Sequence, residues 1–251
     1  MPRSPAPPGD FWMPEKKFLR SADRSWPLPV SAVLFDLDGT LIHTGPDLAR
    51  AVNRMMQDLD MDTYPEEKVL TWVGNGAVTL IHRALTGTRD GQAESALYER
   101  GHASFHRHYL EGVCEHSEPY PDVVDVLNTL RDNGYLLACV TNKPERFTCP
   151  LLKELELLGY FAQVVSGDTL AVKKPDPLPL RHICDRFGIT PRQAVLVGDS
   201  VTDINAARAA AMPVICVSYG YNQGLDLTKY EPDAIIDSFR ELSSLIAPLE
   251  N

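Results

Sequence analysis

Two aspartates stand two positions apart directly behind an apolar run, in the stretch AVLFDLDGTLIHT that covers residues 32–44. Alternate residues of a β-strand share a face, so Asp36 and Asp38 would both point into one small space if strand geometry persists. Two carboxylates at such a short distance repel each other unless a cation lies between them or one of them is protonated. Both solutions are used in catalysis, so the pair is a candidate active site.

The same stretch also has two purely structural interpretations. Asp and Gly favour turns, and a D-x-D-G sequence resembles the start of a calcium-binding loop. The calcium loop is excluded because residues 40–42 supply no further oxygen ligands at the required spacing and no closing Glu follows at the twelfth position. A turn remains the simpler interpretation of the pair taken alone, so the chemistry depends on partners elsewhere in the chain.

Further polar residues follow other apolar runs. Thr141 and Asn142 follow LLACV, Asp199 follows AVLVG with Asp203 four positions later, and Lys174 stands in VKKPDP. Each has an ordinary explanation by itself: a capped turn for the threonine, a solvated charge for the lysine, a helix N-cap for Asp203. Their joint placement after strands is the stronger signal, since chance explains it poorly.

The segments that would position these residues alternate between helix and strand from Tyr120 onward. The predicted helices cover residues 122–134, 145–159, 177–188 and 203–211, and the predicted strands cover 135–141, 162–167, 194–199 and 213–218. Gly134, Gly159 and Gly188 stand where three of the helices are expected to stop. Alternation of this kind predicts a parallel sheet, which binds ligands beyond the carboxyl ends of its strands.

The fold class predicted is therefore α/β, with a Rossmann-like parallel-sheet core into which helices are inserted. The core is assigned to residues 30–45 and 119–251, and the insertion to residues 46–118, which carry helical patterns and no β-like segment. Residues 1–29 are Pro-rich and aperiodic, which is typical of a disordered or loosely docked leader.

Composition excludes several classes of protein. The 251 residues are 44% hydrophobic, enough for one sizeable core with a smaller domain, and a net charge of -10 argues against a nucleic-acid partner. The five cysteines are scattered without a C-x-x-C pair, so neither zinc nor a disulfide framework is indicated. No run of about 18 apolar residues and no secretory signal is present. We expect a cytoplasmic protein without a membrane partner.

The motifs DLDGT, VTN, KKPDP and GDSVTD, in this order, closely resemble those of the haloacid dehalogenase superfamily of phosphohydrolases over residues 31–237. The resemblance implies that Asp36 is the nucleophile and Asp38 the general acid and base. It further implies that Thr141 and Lys174 hold the phosphate.

The resemblance also implies Mg²⁺ as the cofactor. Its ligands would be Asp36, the backbone carbonyl of Asp38 and Asp199, with Asp203 acting through water, an oxygen set that suits Mg²⁺. A carboxylate nucleophile approaches an anionic phosphate monoester only if the metal and an ammonium group neutralise the charge on the transferring group. Thr40 and Asn142 are predicted substrate-binding residues.

In this family the helical insertion corresponds to a mobile cap that closes over the substrate. Within it, TWVGNGAVTLIHRALTG (71–87) resembles the specificity segment of bacterial phosphoglycolate phosphatases. Gly74, Asn75 and Gly76 are therefore predicted to bind the substrate, with backbone N–H groups facing a small carboxylate. An ordinary glycine-rich helix start is the alternative. The chain departs from the pattern at residues 43–44, where His-Thr replaces the usual Asp-Ser. This change bears on the specificity for the leaving group and leaves the phosphoryl chemistry as expected.

The predicted function is that of a Mg²⁺-dependent phosphatase that hydrolyses a small phosphorylated metabolite through an aspartyl-phosphate intermediate. The leading substrate is 2-phosphoglycolate, which would give glycolate and phosphate. The alternative is a phosphatase or phosphomutase acting on a sugar phosphate. A non-enzymatic regulatory module is disfavoured because neither the nucleophile nor a metal ligand is missing. The protein is expected to act as a monomer or homodimer.

Overall fold

A computed structural model describes residues 19–20 and 25–249 of the chain. Most of the predicted leader, residues 1–18 and 21–24, lies outside the described residues. From the N-terminal side of the core, Leu19–Arg20 forms strand β1 and Leu28–Val30 forms strand β2.

The remaining strands are β3 (Ala32–Phe35), β4 (Ile42–His43), β5 (Glu118–Pro119), β6 (Leu136–Val140), β7 (Gln163–Val165), β8 (Ala194–Gly198), β9 (Val214–Val217), β10 (Ala234–Ile236) and β11 (Ile246–Pro248). The α-helices are α1 (Gly45–Asp58), α2 (Glu66–Leu70), α3 (Ala77–Thr86), α4 (Ser95–Glu111), α5 (Val123–Asp132), α6 (Glu145–Glu154), α7 (Leu178–Phe187), α8 (Val201–Ala210) and α9 (Leu242–Leu245).

The central sheet has the strand order β1-β10-β9-β8-β3-β6-β7 within the described residues. Its strands pair in parallel, except that β1 runs antiparallel to β10 at the edge. Strand β3 lies between β6 and β8, with Phe35 opposite both Cys139 and Val197. The predicted α/β fold with a Rossmann-like parallel sheet is confirmed.

Both faces of the sheet are covered, which explains why its strands are apolar runs rather than alternating patterns. Val33 and Phe35 of β3 belong to one hydrophobic cluster, and Ala32 and Leu34 belong to the cluster on the other face. All four side chains are fully buried. A strand buried on both faces holds its C-terminal end rigidly, and that end carries the paired aspartates.

Helices α1 to α4 lie between β4 and β5, which pair antiparallel where the chain leaves the sheet and returns to it. His43 in β4 lies opposite Glu118, and its Nδ1 is 2.9 Å from the hydroxyl of Tyr221. The residue that departs from the family pattern therefore lies at the connection between the helices and the sheet.

The expectation that Gly159 stops a helix is wrong. Helix α6 ends at Glu154, and the chain reverses at Glu156, which adopts a φ of 57°. The physical reason is packing: the early reversal places Leu157 in the core, 1% exposed, with its N–H donating to Leu152. Gly134 and Gly188, with φ of 79° and 67°, do follow helices as expected.

Among residues 19–20 and 25–249, no helix is both long enough and apolar enough to cross a membrane.

Candidate active site

The turn after β3 aims two carboxylates toward one cavity. Asp36 extends the strand by one residue, since its N–H donates to Val197 O at 2.9 Å, while Leu37 is buried. Asp36 and Asp38 both line the cavity. Gly39, at a φ of 88°, closes the turn, and a Cβ there would lie 2.4 Å from Oδ2 of Asp199. Only glycine fits this close approach.

A cluster of three carboxylates surrounds this strand end. Carboxylate oxygens of Asp36, Asp199 and Asp203 lie within 4.8 Å of one another, so together they could hold a cation. Burial raises the pKa of Asp199 well above its usual range, and the charges of Asp36 and Asp203 raise it further. A cation bound between these oxygens would offset this cost of burying like charges.

Asp199 is positioned by groups from two other segments. Thr40 Oγ1 donates to its Oδ1 at 3.0 Å, and the N–H of Tyr221 donates to its Oδ2 at 2.5 Å. Thr40 is fully buried and is absent from the cavity wall formed by the described residues. The structure therefore places the predicted substrate-binding Thr40 behind Asp199.

Lys174 lies between two of the carboxylates. Its Nζ is 2.9 Å from Asp36 Oδ1 and 2.7 Å from Asp203 Oδ1, and its side chain is 2% exposed. Burial alone would lower the pKa of Lys174, but the charges of Asp203 and Asp36 outweigh burial and raise it. For Asp36, in contrast, burial raises the pKa to about 6, and the ammonium group of Lys174 acts in the opposite direction.

The sequence pattern suggested that Asp203 is the N-cap of a helix. In the structure Asp203 lies inside the first turn of α8, three residues after the N-cap. Ser200 is the N-cap, and its hydroxyl donates to Asp203 Oδ2 at 2.5 Å while its backbone N–H donates to the same oxygen at 3.1 Å. This capping box leaves Oδ1 for Lys174. Asp203 is thus held rigidly by its own helix.

Thr141 and Asn142 follow β6 at the neighbouring strand end, and both line the cavity. The Thr141 hydroxyl accepts the N–H of Lys143 at 3.1 Å. Asn142 Nδ2 donates to the backbone carbonyl of Lys174 at 2.9 Å, which ties the lysine loop to β6. The Asn142 Oδ1 atom is buried and has no hydrogen-bond partner among the described residues.

Lys143 is a site residue that the sequence patterns did not identify. Its Nζ donates to Asp38 Oδ1 at 2.8 Å and to the hydroxyl of Tyr109, on helix α4, at 2.5 Å. Burial raises the pKa of Tyr109 well above its usual range, so the phenol stays protonated. The only sequence signal was the position of Lys143 directly after Thr141 and Asn142. Nothing in the sequence pointed to Tyr109.

Helices α1, α3, α4 and α6, together with the turn before α3, build a largely apolar wall of the cavity. Its apolar residues are Leu48, Val73, Ala77, Leu80, Phe105 and Phe147. Gly74 and Gly76 also line the cavity, next to the N-terminus of the ten-residue helix α3. The first N–H groups of a helix have no partner within it and attract anions.

Asn75 is placed differently from the two glycines beside it. Its side chain contacts Gln223 at 2.7 Å and Thr202 at 3.4 Å, both of which lie on loops or helices that follow strands of the sheet. Asn75 is not among the cavity-lining residues of the described chain. Of the predicted substrate-binding residues, the structure therefore brings Asn142, Gly74 and Gly76 to the cavity.

The chain is similar to known proteins over most of its length. A sequence model of haloacid dehalogenase-like hydrolases matches residues 33–217. The phosphoglycolate phosphatase of Thiobacillus denitrificans is 46% identical over 223 residues, or 89% of this chain and 98% of that protein. That of Nitrosospira multiformis is 49% identical over 221 residues, or 88% and 97%. The crystal structure of a predicted phosphoglycolate phosphatase from Haemophilus somnus superposes with a TM-score of 0.81 at 35% identity, covering 85% of this chain and 96% of that one.

Proposed function

The chain belongs to the haloacid dehalogenase-like hydrolases, and on that premise we propose that it hydrolyses 2-phosphoglycolate to glycolate and phosphate with Mg²⁺ as its cofactor. The observation that carries the proposal is the cluster of Asp36, Asp199 and Asp203 at the carboxyl edge of the sheet, with Lys174 paired to the first and the last of them. The names of the relatives support the choice of substrate.

The residues present fit Mg²⁺. The donor set contains only oxygen, and the raised pKa of Asp199, which follows from burial beside two other acids, is what a cation would relieve. Asp36, Asp199 and the backbone carbonyl of Asp38 would hold the ion. Asp203 already accepts from Lys174 and Ser200, which suits a more distant position reached through water. When bound, the ion would neutralise charge on the phosphoryl oxygens.

The reaction then uses two aspartates in turn. A carboxylate oxygen of Asp36 attacks phosphorus, an aspartyl phosphate forms, and the bond between phosphorus and the glycolate oxygen breaks. Asp38 gives its proton to that leaving oxygen. In the second half, Asp38 takes a proton from water, the water oxygen attacks phosphorus, and Asp36 is released together with inorganic phosphate.

The other polar groups of the site have roles that follow from their contacts. Lys174 holds Asp36 in its anionic form and, with Thr141, binds the phosphoryl oxygens. Asn142 fixes the lysine loop, because its Nδ2 donates to the carbonyl of Lys174. Thr40 orients Asp199, and Lys143 fixes the carboxylate of Asp38 through a 2.8 Å hydrogen bond.

We further propose that residues 46–118, which hold all of helices α1 to α4 except the first residue of α1, form a cap over the core of residues 30–45 and 119–251. The carboxylate of the substrate would lie against the N-terminus of α3, beside Gly74 and Gly76, with the Tyr109 hydroxyl and Lys143 close by. The surrounding wall is apolar and offers few partners for the several hydroxyls of a sugar. This favours the small acid over a sugar phosphate. We expect the enzyme to work in the cytoplasm as a monomer or homodimer.

The test is phosphate release with 2-phosphoglycolate and with 2-hydroxyethyl phosphate, a substrate of nearly the same size in which an alcohol replaces the carboxylate. A panel of sugar phosphates is measured alongside, and every assay is run with Mg²⁺ and with chelator. We expect 2-phosphoglycolate to give the highest kcat/KM and chelator to abolish release. Faster hydrolysis of several sugar phosphates would replace the proposed substrate, and full activity in chelator would remove the metal from the mechanism.

A further inference from the structure

The side chain of Gln223 bridges the core and the helical wall of the cavity. It lies on the loop after β9, and its Nε2 donates to Val73 O at 2.8 Å and to Asn75 Oδ1 at 2.7 Å. Its Oε1 accepts from Arg89 at 2.7 Å. Both N–H groups and the oxygen of the amide therefore bind the inserted segment on either side of α3. A flipped amide would place its own oxygen against the Val73 carbonyl, which is unfavourable.

The turn that Gln223 contacts is seated on the core at further points. Asn75 Nδ2 lies 3.4 Å from Thr202 Oγ1, and the Asn75 carbonyl lies 3.4 Å from Lys173 Nζ. Three separate core segments thus meet one residue. The side-chain amide and the carbonyl of Asn75 thus contact the core, whereas Gly74 and Gly76 beside it line the cavity.

The two glycines of this turn allow that close seating. A Cβ at Gly74 would lie 3.1 Å from Gln223 Nε2, and a Cβ at Gly76 would lie 2.9 Å from Lys173 Nζ. Both glycines have positive φ, 116° and 88°, which side chains rarely adopt. The glycines therefore bring the turn into contact with the core as well as with the cavity.

The loop that carries Gln223 is also tied to the acidic cluster. Two residues earlier, the N–H of Tyr221 donates to Asp199, and the hydroxyl of Tyr221 accepts the N–H of Gly45 at the start of α1 at 2.6 Å. The loop thus connects an acidic residue of the site to the inserted helices at two places.

We propose that Gln223 is a positioning residue that docks the Gly74–Gly76 turn onto the core and so holds the N-terminus of α3 against the cavity. This proposal rests on the proposed function, since it assigns the docked turn to recognition of the substrate carboxylate. Gln223 acts through the turn, without touching the substrate.

The decisive variant is Gln223→Glu in the full-length protein. Glutamate keeps the acceptor for Arg89 but loses both donors and faces the oxygens of Val73 and Asn75 with a negative charge. The matched control is Asn222→Asp, which adds the same charge one residue away, where the side-chain oxygen accepts only the N–H of Gly224 among the described contacts. Melting curves of both variants establish that they are folded.

Two measurements test the docking role. Loss of two hydrogen bonds of ordinary net strength should raise the KM for 2-phosphoglycolate about tenfold in Gln223→Glu. With p-nitrophenyl phosphate, which has no carboxylate, KM should change less than about threefold on the same reasoning. Amide hydrogen exchange of residues 73–80 should accelerate in Gln223→Glu, while α5 exchanges as in the parent protein. The control should match the parent protein in both measurements.

Unchanged exchange at residues 73–80 in Gln223→Glu would overturn the docking role. Equal losses on both substrates would overturn the positioning role, since they would mean general destabilisation. If the parent protein itself fails to hydrolyse 2-phosphoglycolate, the proposed function fails, and the exchange experiment still decides the docking on its own.

Discussion

The two sides of the cavity are held in different ways. On the sheet side, charged groups satisfy one another: Lys174 is paired with Asp36 and Asp203, all within the core and nearly excluded from water. On the helical side, the hydrogen bonds to the core that join described residues each have at least one neutral partner, such as those of Gln223 with Asn75 and with Arg89. Breaking a buried ion pair costs about 3–5 kcal/mol, whereas one neutral hydrogen bond contributes about 1 kcal/mol. We therefore expect the sheet side to stay fixed and the helical side to separate from the core more easily.

The difference between the two sides suits their proposed roles, phosphoryl transfer on the sheet side and substrate selection on the helical side. Phosphoryl transfer needs charges at fixed positions, which a parallel sheet with both faces covered provides. The proposed cap must move away to admit the substrate and then return, and weak contacts permit such motion. Substitutions on the sheet side should therefore remove chemistry on every substrate, while those on the helical side should change preference or stability.

The largest expected effect is that of Asp36→Asn on the sheet side. The amide keeps the shape of the carboxylate but cannot form an aspartyl phosphate, so turnover should fall at least about 1,000-fold on every substrate. Thermal melting should show a folded protein, as it should for the control Asp185→Asn, an exposed acid on α7 that keeps full activity. Near-normal turnover in folded Asp36→Asn would falsify the assignment of the nucleophile.

The next largest effect should come from Lys174→Met. This change leaves Asp36 and Asp203 buried without their ammonium partner, so we expect a loss of about 3 kcal/mol in the free energy of unfolding and a loss of turnover of about 100-fold or more. Urea denaturation and phosphate release measure the two effects. The control is Lys153→Met on the exposed face of α6. An unfolding free energy equal to that of the control would show that the buried ion pairs do not hold the sheet side together.

On the helical side, Gly76→Val should act selectively. Gly76 has a φ of 88°, which valine rarely adopts, and its Cβ would meet Lys173 Nζ at 2.9 Å, so the turn must change its conformation. Because an N–H bond to a carboxylate contributes about 1.5–3 kcal/mol, kcat/KM for 2-phosphoglycolate should fall roughly 10- to 100-fold further than kcat/KM for p-nitrophenyl phosphate. The two substrates are compared in one preparation. Equal losses would assign the turn to packing or closure, and 2-phosphoglycolate would lose its main structural support.

The smallest effect concerns the pH dependence of the contact between α4 and α6. His106 packs on Phe147, and burial, together with His102 and Arg146, lowers the pKa of His106 to about 4. As the pH falls from about 6.5 toward 4, the unfolded chain takes up this proton first, so stability is lost over that window. Because the side chain is partly exposed, the contribution should be only about 1 kcal/mol.

His106→Gln tests this contribution, since glutamine does not titrate. Melting temperatures measured from pH 7 to pH 4 should fall less steeply in the variant than in the parent protein. His116→Gln serves as the control, because the exposed His116 lies outside this contact and should leave the slope unchanged. Parallel curves for His106→Gln and the parent would mean that the contact does not resist protonation.

Much of the sheet side could be predicted from the sequence. Apolar runs of four or five residues, alternating with amphipathic helices, predicted the parallel sheet, and the residue after each run was then bound to lie at one edge. Asp36 and Asp199 are brought together for this reason, whereas Lys174, nine residues after the end of β7, reaches Asp36 through its loop. Backbone connectivity alone sets their neighbourhood, since the carboxyl ends of parallel strands always meet on the same side.

The contacts between distant segments depended on the tertiary structure. Lys143 meets Tyr109 of α4, Thr40 turns its hydroxyl toward Asp199, and Gln223 reaches Asn75 across 148 positions of sequence. No local periodicity records such pairs, because packing of one element on another decides which side chains face each other. The same packing ended α6 five residues before Gly159, where burial of Leu157 outweighed the preference of glycine for helix ends. By itself the sequence determined which chemistry the sheet edge carries, because strand ends are set by local pattern. Only the tertiary structure decided how the helical wall is docked over that edge, because docking depends on side chains that meet only after the chain has folded.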